Sequence, residues 1–357
     1  MDPIAIPEVG KTHYIPHREI IKEGRATTKM RIVYDASSHR SGQISLNEAL
    51  ETGPCLLPKV FDVIIRFRCY KYGITCDIKS AFLNIRIAEE DRNYLRFLWV
   101  NDILKENPLV VVKRFTSVMF GLGPSPFLLN ATIDTHMRKY IDMNREFIMQ
   151  FLRDLYMDDE ISGTQDVKVG FEFYLFVKTL MLEGGFDLRK WNSNSLELRE
   201  NISDYEKNYF QNEDEFNTEK ILGISWDSRN DLLIFKLEVI ASALAESSVT
   251  KRLVLKTVAS IYDPLGIMSP AVVRLKALFQ EVCSIKCDWD VPLSPTFVEK
   301  WKKVLLELKN IDTISLPRHY LAQYELKNAV NIELHGFCDA SIIAAAAVVY
   351  IRILMPK

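Results

Sequence analysis

The sequence lacks any long hydrophobic run, although it is not poor in apolar residues. Apolar residues make up 48% of its 357 positions and charged residues 26%, which is typical of a folded globular protein. No apolar stretch reaches the length of a membrane-spanning helix, so we expect no membrane partner. The first residues, Met1 to Ala5, lack the basic start and apolar stretch of a secretory signal, so we expect a protein that is not secreted.

Cysteine is also scarce, and its spacing excludes the common zinc motifs. The six cysteines are scattered, and no pair has the spacing of a zinc knuckle or ribbon. Cys283 and Cys287 would lie one helical turn apart, but no matching ligands stand nearby, which argues against a metal site. Free thiols in a reducing, intracellular setting are the simplest interpretation.

An excess of charge of either sign is missing too. The formal net charge is −2, which argues mildly against a nucleic-acid partner, because phosphate binding normally uses an excess of Lys and Arg. Charge can be segregated, however, with acid at a metal site and base along a groove. An early basic cluster fits such a groove, although composition alone favours a solvated face. The cluster consists of Arg18, Lys22, Arg25, Lys29 and Arg31.

The pattern of apolar and turn residues predicts a mixture of strands and helices. Strands are predicted at Thr28 to Tyr34, Tyr72 to Ile78, Tyr94 to Val100, Leu109 to Phe115 and in the stretch from Ile332 to Arg352. Helices are predicted after Ser45, at Val60 to Phe67, Phe127 to Met143 and Val167 to Gly184, and through most of Thr250 to Leu308. A strand, a turn and a strand are predicted within Phe151 to Ser162, and a hairpin from Ile221 to Trp226 with Leu232 to Phe235.

Two adjacent aspartates, Asp158 and Asp159, lie at the predicted turn. Neighbouring carboxylates repel each other unless a cation compensates them, and their hard oxygens suit Mg2+. Asp77, at the end of a predicted buried strand, would complete a two-metal site with ions roughly 3.5–4 Å apart, the arrangement that polymerases use. The alternative is that Asp-Asp simply suits a turn. The order of Asp77, a Gly/Pro loop and the Tyr156 to Asp159 hairpin favours the metal site.

A specific resemblance extends over nearly the whole chain. The segments that carry it are Thr27 to Ser37 (TTKMRIVYDAS), Ser45 to Leu57 (SLNEALETGPCLL), Arg66 to Arg68, Phe120-Gly121 with Ser125 to Leu129, Tyr156 to Asp159, Leu188 to Ser195 (LRKWNSNS), Ile261 to Pro270 (IYDPLGIMSP) and His335 to Ser341 (HGFCDAS). Together they resemble the reverse transcriptase region of a BEL/Pao-type LTR retrotransposon polyprotein, with the start of a ribonuclease H domain. Two features depart from the pattern: many retroviral relatives have Gln where Phe120 stands, and Gly123-Pro124 fills its loop in an unusual way.

The resemblance implies an α+β fold of the right-hand polymerase type. This fold has fingers, a palm with an antiparallel sheet and a helical thumb or connection, and here it would end in a partial ribonuclease H-like strand segment. The implied domains are fingers and palm at 1–236, a helical thumb or connection-like region at 237–328, and a truncated N-terminal part of a ribonuclease H-like domain at 329–357. Only the first ribonuclease H carboxylate, Asp339, precedes Lys357, so we expect no ribonuclease H activity from this chain alone.

The resemblance also implies roles for individual residues. Asp77, Asp158 and Asp159 would be catalytic and would bind two Mg2+ or Mn2+ ions. The implied nucleotide-binding residues are Arg31 at the triphosphate, Phe82 as a gate under the sugar, the backbone of Phe120 and Gly121, and Lys190 near the leaving pyrophosphate. Leu222 and Gly223 would belong to a primer grip. An ordinary core Phe explains Phe82 equally well.

Three functions remain open on the sequence. The first is an RNA-directed DNA polymerase that extends a primer on an RNA or DNA template with dNTPs, in the cytoplasm, in virus-like particles or in the nucleus. The second is a catalytically inactive nucleic-acid-binding remnant of a retrotransposon polyprotein. The third is another metal-dependent phosphotransferase or a generic scaffold, which would require Asp77 and Asp158 to be far apart.

Overall fold

The structure, a computed structural model, describes most of the chain. It describes residues 2–3, 12–21, 30–102, 104–206, 218–311, 313–321 and 328–356. Lys22, Arg25 and Lys29 of the early basic cluster lie outside the described residues, as does the start of the strand predicted from Thr28. What the sequence predicts for those residues stays a prediction.

The described residues form a mixture of strands and helices, as the sequence predicted. The strands are β1 (Asp2–Pro3), β2 (His17–Ile21), β3 (Met30–Tyr34), β4 (Tyr72–Ile78), β5 (Arg96–Asn101), β6 (Leu109–Arg114), β7 (Leu155–Tyr156), β8 (Asp159–Thr164), β9 (Leu188–Ser193), β10 (Thr218–Ile221), β11 (Ile224–Asp227), β12 (Leu232–Lys236), β13 (Thr313–Pro317), β14 (Asn331–Ala340) and β15 (Ala345–Leu354). The helices are α1 (Leu46–Ala49), α2 (Val60–Cys69), α3 (Ser125–Arg138), α4 (Arg145–Asp154), α5 (Val167–Glu183), α6 (Leu196–Tyr205), α7 (Val239–Ala245), α8 (Lys251–Ser260), α9 (Ser269–Ser284) and α10 (Pro295–Leu308).

The chain divides into two compact units, neither of which is a continuous segment. The first unit comprises Met1–Lys59, Ile74–Ser162 and Lys168–Trp191. The second unit comprises Val60–Gly73, Gly163–Val167 and Asn192–Lys357. The domain ranges 1–236, 237–328 and 329–357 stay predictions.

An apolar core of the first unit gathers residues that are distant in sequence. Ile15, Leu46 and Phe97 are buried in it, together with Met119 and Leu122. Burial of a large apolar side chain stabilises a fold by roughly 1.5–3 kcal/mol. Met119 and Leu122 therefore anchor both sides of the short loop between them in this core.

A four-stranded sheet of strand order β7–β8–β4–β9 carries the predicted acidic residues. β4 is buried continuously from Gly73 to Cys76, as expected for a strand that is covered on both faces. On β9, the Trp191 ring meets the Tyr174 ring of α5 edge to face, with centroids 4.8 Å apart. Both rings are fully buried, so they form a rigid base beneath this part of the sheet.

Two predicted elements near this sheet were wrong in detail. The segment from Phe151 to Asp154 is the last turn of helix α4, not a strand. The physical reason is Asn144, whose side chain accepts a hydrogen bond from the Phe147 N–H and so starts a helix that runs up to β7. Helix α3 accordingly ends at Arg138 and does not continue to Met143.

The second unit contains the four-stranded sheet β10–β11–β12–β13, helices α7 to α10 and the β14–β15 hairpin. The strand predicted from Ile221 to Trp226 is interrupted by a turn at Leu222-Gly223. Trp301 is fully buried, as expected of a core residue, whereas Trp289 is 45% exposed. All six cysteines are free thiols in the structure. Among the described helices, none combines the length and the apolar character needed to cross a membrane.

Candidate active site

The segment from Tyr156 to Asp159 forms a tight hairpin turn. Tyr156 of β7 pairs with Asp159 of β8, so Met157 and Asp158 are the two central residues. Met157 has a φ of 57°. A positive φ at the first central residue alone is the sign pattern of a type II′ turn, where Gly is normally preferred. The methionine therefore stores backbone strain, and strain of this kind is concentrated at functional sites.

Asp77 lies beside this turn. β4 and β8 are neighbours in the sheet, and the Ile78 N–H donates a hydrogen bond to the Asp158 carbonyl oxygen at 2.8 Å. Burial raises the pKa of the Asp158 carboxyl, and the negative charge of Asp77 raises it further, against the opposing Lys190 ammonium. Asp159, also half-buried, begins β8. The large separation of Asp77 and Asp158 that a generic scaffold would require is not found.

Two adjacent basic residues of β9 pair with Asp77. Arg189 Nε donates to one carboxylate oxygen at 2.9 Å, and Lys190 Nζ pairs with the other. Neighbouring residues of a regular strand point to opposite faces. Lys190 has a φ of 55°, which interrupts that alternation and allows both side chains to reach one carboxylate. The family resemblance pointed to Lys190 and gave no role to Arg189.

The donor set at this turn fits a divalent cation. Carboxylate oxygens are the ligands that Mg2+ and Mn2+ prefer, and a cation would relieve the repulsion between Asp77 and Asp158. Among the described residues, no three His, Cys, Asp or Glu side chains are gathered into a metal-sized cluster. In this conformation, Arg189 and Lys190 balance the charge of Asp77, so a metal would compete with them.

Three of the predicted nucleotide-binding residues lie together. The Phe82 and Phe120 rings meet edge to face with centroids 4.7 Å apart; Phe82 is 5% exposed and Phe120 is 58% exposed. Gly121 has a φ of 94°, and a Cβ atom there would lie 3.0 Å from the Tyr34 carbonyl oxygen, so only Gly is free of strain. The burial of Phe82 fits an ordinary core residue, whereas its contact with the exposed Phe120 ring fits the predicted gate under the sugar. The choice between these two roles stays open.

The other predicted site residues lie on different elements. Arg31 is exposed on β3 and pairs with Ile20 in the two-stranded β2–β3 sheet, which is a separate sheet from that of Asp77. Leu222 and Gly223 belong to the second unit. The roles predicted for these residues stay predictions.

Leu222 and Gly223 are the central residues of the β10–β11 hairpin. Ile221 pairs with Ile224, and φ is 45° at Leu222 and 92° at Gly223. Two positive φ values characterise a type I′ turn, which prefers Asn-Gly. A Cβ atom on Gly223 would lie 2.8 Å from the Tyr262 ring. The turn therefore carries strain at Leu222 and tight packing at Gly223.

Opposite changes in stability are expected at these two positions. Leu222→Asn should raise the free energy of unfolding by about 0.5–1 kcal/mol, because Asn tolerates a left-handed backbone better than Leu. Gly223→Ala should lower it by about 1–2 kcal/mol, because Ala resists this backbone and the Tyr262 ring must move. Urea unfolding of both variants measures the difference. Equal stability of the two would contradict a type I′ turn at this place.

Comparison with known proteins relates the chain to retroelement proteins. Residues 250–357 match the family model described as the Pao retrotransposon-like RNaseH-like domain. The fold is similar to that of a foamy viral protease-reverse transcriptase in complex with ds DNA, with a TM-score of 0.56 and 14% identity over 95% of this chain and 49% of that one. A foamy viral protease-reverse transcriptase in complex with an RNA/DNA hybrid gives a TM-score of 0.52 and 16% identity over 95% of this chain and 40% of that one. No curated protein matches the sequence.

These matches differ in what they cover. The family match covers the C-terminal part, which includes α8 to α10 and the β14–β15 hairpin. The structural similarity covers nearly the whole chain and shows a mixed fold like that of a retroviral reverse transcriptase. The chain spans half or less of the length of these solved proteins.

Proposed function

We propose that the chain is the RNA-directed DNA polymerase part of a BEL/Pao-type retroelement polyprotein and adds dNTPs to a primer 3′-hydroxyl on an RNA or DNA template. The observation that carries the proposal is the adjacency of Asp77 at the end of β4 to Asp158 in a strained turn. The fold similarity to reverse transcriptases and the Pao family match support it. In this proposal the protein acts inside the cell, in the cytoplasm, in virus-like particles or in the nucleus.

The proposed chemistry assigns the acidic residues to metal binding. Asp77, Asp158 and Asp159 would hold two Mg2+ or Mn2+ ions, which when bound activate the primer hydroxyl and neutralise the triphosphate. Once a metal ion replaced them at Asp77, Arg189 and Lys190 would donate hydrogen bonds to the departing pyrophosphate. Both are partly exposed cations that lie next to Asp77.

The remaining predicted residues would shape the nucleotide site. The Phe120-Gly121 backbone and the Phe82 ring would lie against the sugar, and Arg31 would contact the triphosphate. Residues 1–236 would form fingers and palm, and 237–328 the thumb or connection. Leu222 and Gly223 would contact the primer end.

A catalytically inactive nucleic-acid-binding remnant is the second candidate. The observations that favour it are the two cations already paired with Asp77 and the lack of a three-ligand cluster among the described residues. Such a protein would bind template and primer without incorporating nucleotides.

Primer extension separates the two candidates. On poly(rA)/oligo(dT), the wild-type chain should incorporate dTTP with Mg2+ or Mn2+, and incorporation should depend on the template. Binding of the template–primer should weaken steeply with salt in either case, because phosphate contacts release counterions. Salt-sensitive binding without incorporation under either metal would reject the polymerase and leave the remnant.

A further inference from the structure

Asn47 connects three segments of the first unit by hydrogen bonds. Its Nδ2 donates to the Gly121 carbonyl oxygen and to Ser37 Oγ, each at 2.9 Å. Its Oδ1 accepts from the Gly123 N–H at 2.8 Å. Its own backbone N–H donates to the Ala36 carbonyl oxygen at 3.0 Å. One residue of α1 thus holds both the chain after β3 and the loop after Phe120.

Helix α1, which carries Asn47, is itself held in place. The Ser45 hydroxyl accepts from the Glu48 N–H, and the Ser45 N–H donates to the Glu48 carboxylate at 2.7 Å, which together form a capping box. Leu46 is buried in the apolar core of the unit. The amide of Asn47 therefore projects from a capped and anchored turn.

The loop from Phe120 to Gly123, which Asn47 holds, is also constrained by close packing at its two glycines. It carries the exposed ring of Phe120. Gly121 is in the left-handed region, close to the Tyr34 carbonyl oxygen, and a Cβ atom on Gly123 would lie 3.0 Å from the Thr52 side chain. Between these glycines Leu122 is buried, while Phe120 just before them is exposed. The Asn47 side chain bonds one peptide group on each side of Leu122, so it determines the path of the backbone that presents Phe120.

We propose that Asn47 is a positioning residue that holds the Phe120-Gly121 backbone in place to receive the incoming nucleotide; this rests on the proposed polymerase function. Its amide is suited to the task because it donates to one loop carbonyl and accepts from one loop N–H at the same time. Asp keeps the acceptor and loses the donors, and Ala loses both. The two substitutions therefore separate the two halves of the contact.

Residue-resolved hydrogen–deuterium exchange at the Gly123 N–H tests the contact without any activity. In Asn47→Ala this amide should exchange about tenfold faster than in the wild type, the equivalent of one lost hydrogen bond. In Asn47→Asp it should stay protected, because Oδ1 still accepts. Asn230→Ala, which removes an exposed amide bonded to Asp227 in the second unit, should leave Gly123 unchanged.

Steady-state primer extension tests the positioning role. Both Asn47 variants should raise the KM for the dNTP by about tenfold, with a smaller change in kcat, because each loses the bond to the Gly121 carbonyl. Unchanged Gly123 exchange in Asn47→Ala would overturn the proposal. A fall in kcat and thermal stability without a rise in KM would overturn it too, since that marks a purely structural residue. A wild type that extends no primer rejects the polymerase, and the exchange data then decide the loop contact alone.

Discussion

Asp158→Asn is expected to remove nearly all primer extension while leaving the chain folded. In the proposed mechanism this side chain binds a catalytic metal, and metal stabilisation of the transition state contributes several kcal/mol, so the rate should fall by at least about a hundredfold. Asn has nearly the same shape but offers a neutral oxygen, which is a weaker ligand for a hard cation. The loss should appear with both Mg2+ and Mn2+.

The fold should survive this change for an electrostatic reason. Burial and the neighbouring charge of Asp77 raise the pKa of Asp158, so at neutral pH the folded state opposes ionisation of this carboxyl. A neutral Asn removes that unfavourable charge, and the urea midpoint should stay equal or rise. Asp77→Asn is a less clean variant, because it would leave Arg189 and Lys190 without their shared carboxylate.

The matched control is Asp142→Asn, which removes an exposed carboxylate of the same unit. It should extend primers like the wild type. Single-turnover extension with both metals, beside urea unfolding of each variant, gives the comparison. Extension by Asp158→Asn at the control rate would contradict the role assigned to the Tyr156 to Asp159 turn.

Local signals in the sequence predicted much of the fold around this site. Ser45 followed by Glu48 indicated a helix start, and the structure has the full capping box. The apolar spacing from Val60 predicted α2, and the run from Tyr72 predicted a buried strand that ends beside a carboxylate. In each case, the signal lies within one turn or strand, so a few residues suffice to determine the element.

Prediction failed where two local signals competed. The residues before the Tyr156 to Asp159 turn are compatible with a strand, but the Asn144 cap several residues upstream decides for a helix. The turn at Leu222 was missed because Leu is rarely found at positive φ, and only the following Gly223 signals it. Tertiary packing offsets the strain at Leu222, and such packing cannot be recognised from a short stretch of sequence.

The details of the candidate site depend on long-range contacts. Asp77 and Arg189 are separated by 112 positions, and Asn47 and Gly121 by 74. Residue types can indicate that the Asp77 carboxylate needs a cationic partner. They do not identify Arg189 as that partner among the many Lys and Arg residues of the chain. The positive φ of Lys190 allows both Arg189 and Lys190 to reach Asp77, and this backbone conformation arises only in the folded sheet.

Arg318→Ala is expected to cause the largest loss of stability among the variants considered. Arg318 is fully buried in the second unit, and its guanidinium donates to both carboxylate oxygens of Asp231, at 2.6 and 2.9 Å. It also donates to the carbonyl oxygens of Phe67, Tyr70 and Lys71. All five N–H groups that a guanidinium offers thus have acceptors.

The network around Asp231 explains why the loss should be large. The Trp226 Nε1–H donates to one carboxylate oxygen of Asp231 at 3.0 Å, and Asn194 Nδ2 donates to the other at 3.2 Å. Burial lowers the pKa of Arg318, which shows the cost of holding this charge inside, and the pairing with Asp231 offsets that cost. Removing one partner of such a pair typically costs about 3–5 kcal/mol, because the other charge and the carbonyl groups lose their compensation.

Three further variants determine whether the network itself is responsible. Arg252→Ala breaks an exposed ion pair with Asp290 in the same unit and should leave the urea midpoint nearly unchanged. Arg318→Lys should lose part of the stability, because an ammonium has three donors for five contacts. The double variant Arg318→Met with Asp231→Asn should be more stable than Arg318→Ala, since no lone charge remains buried and Asn tolerates the φ of 54° at position 231. If Arg318→Ala and Arg252→Ala shift the midpoint equally, the buried pair does not hold α2 and the end of β13 together. If they differ as expected, a residue that no motif marks is a main support of the second unit.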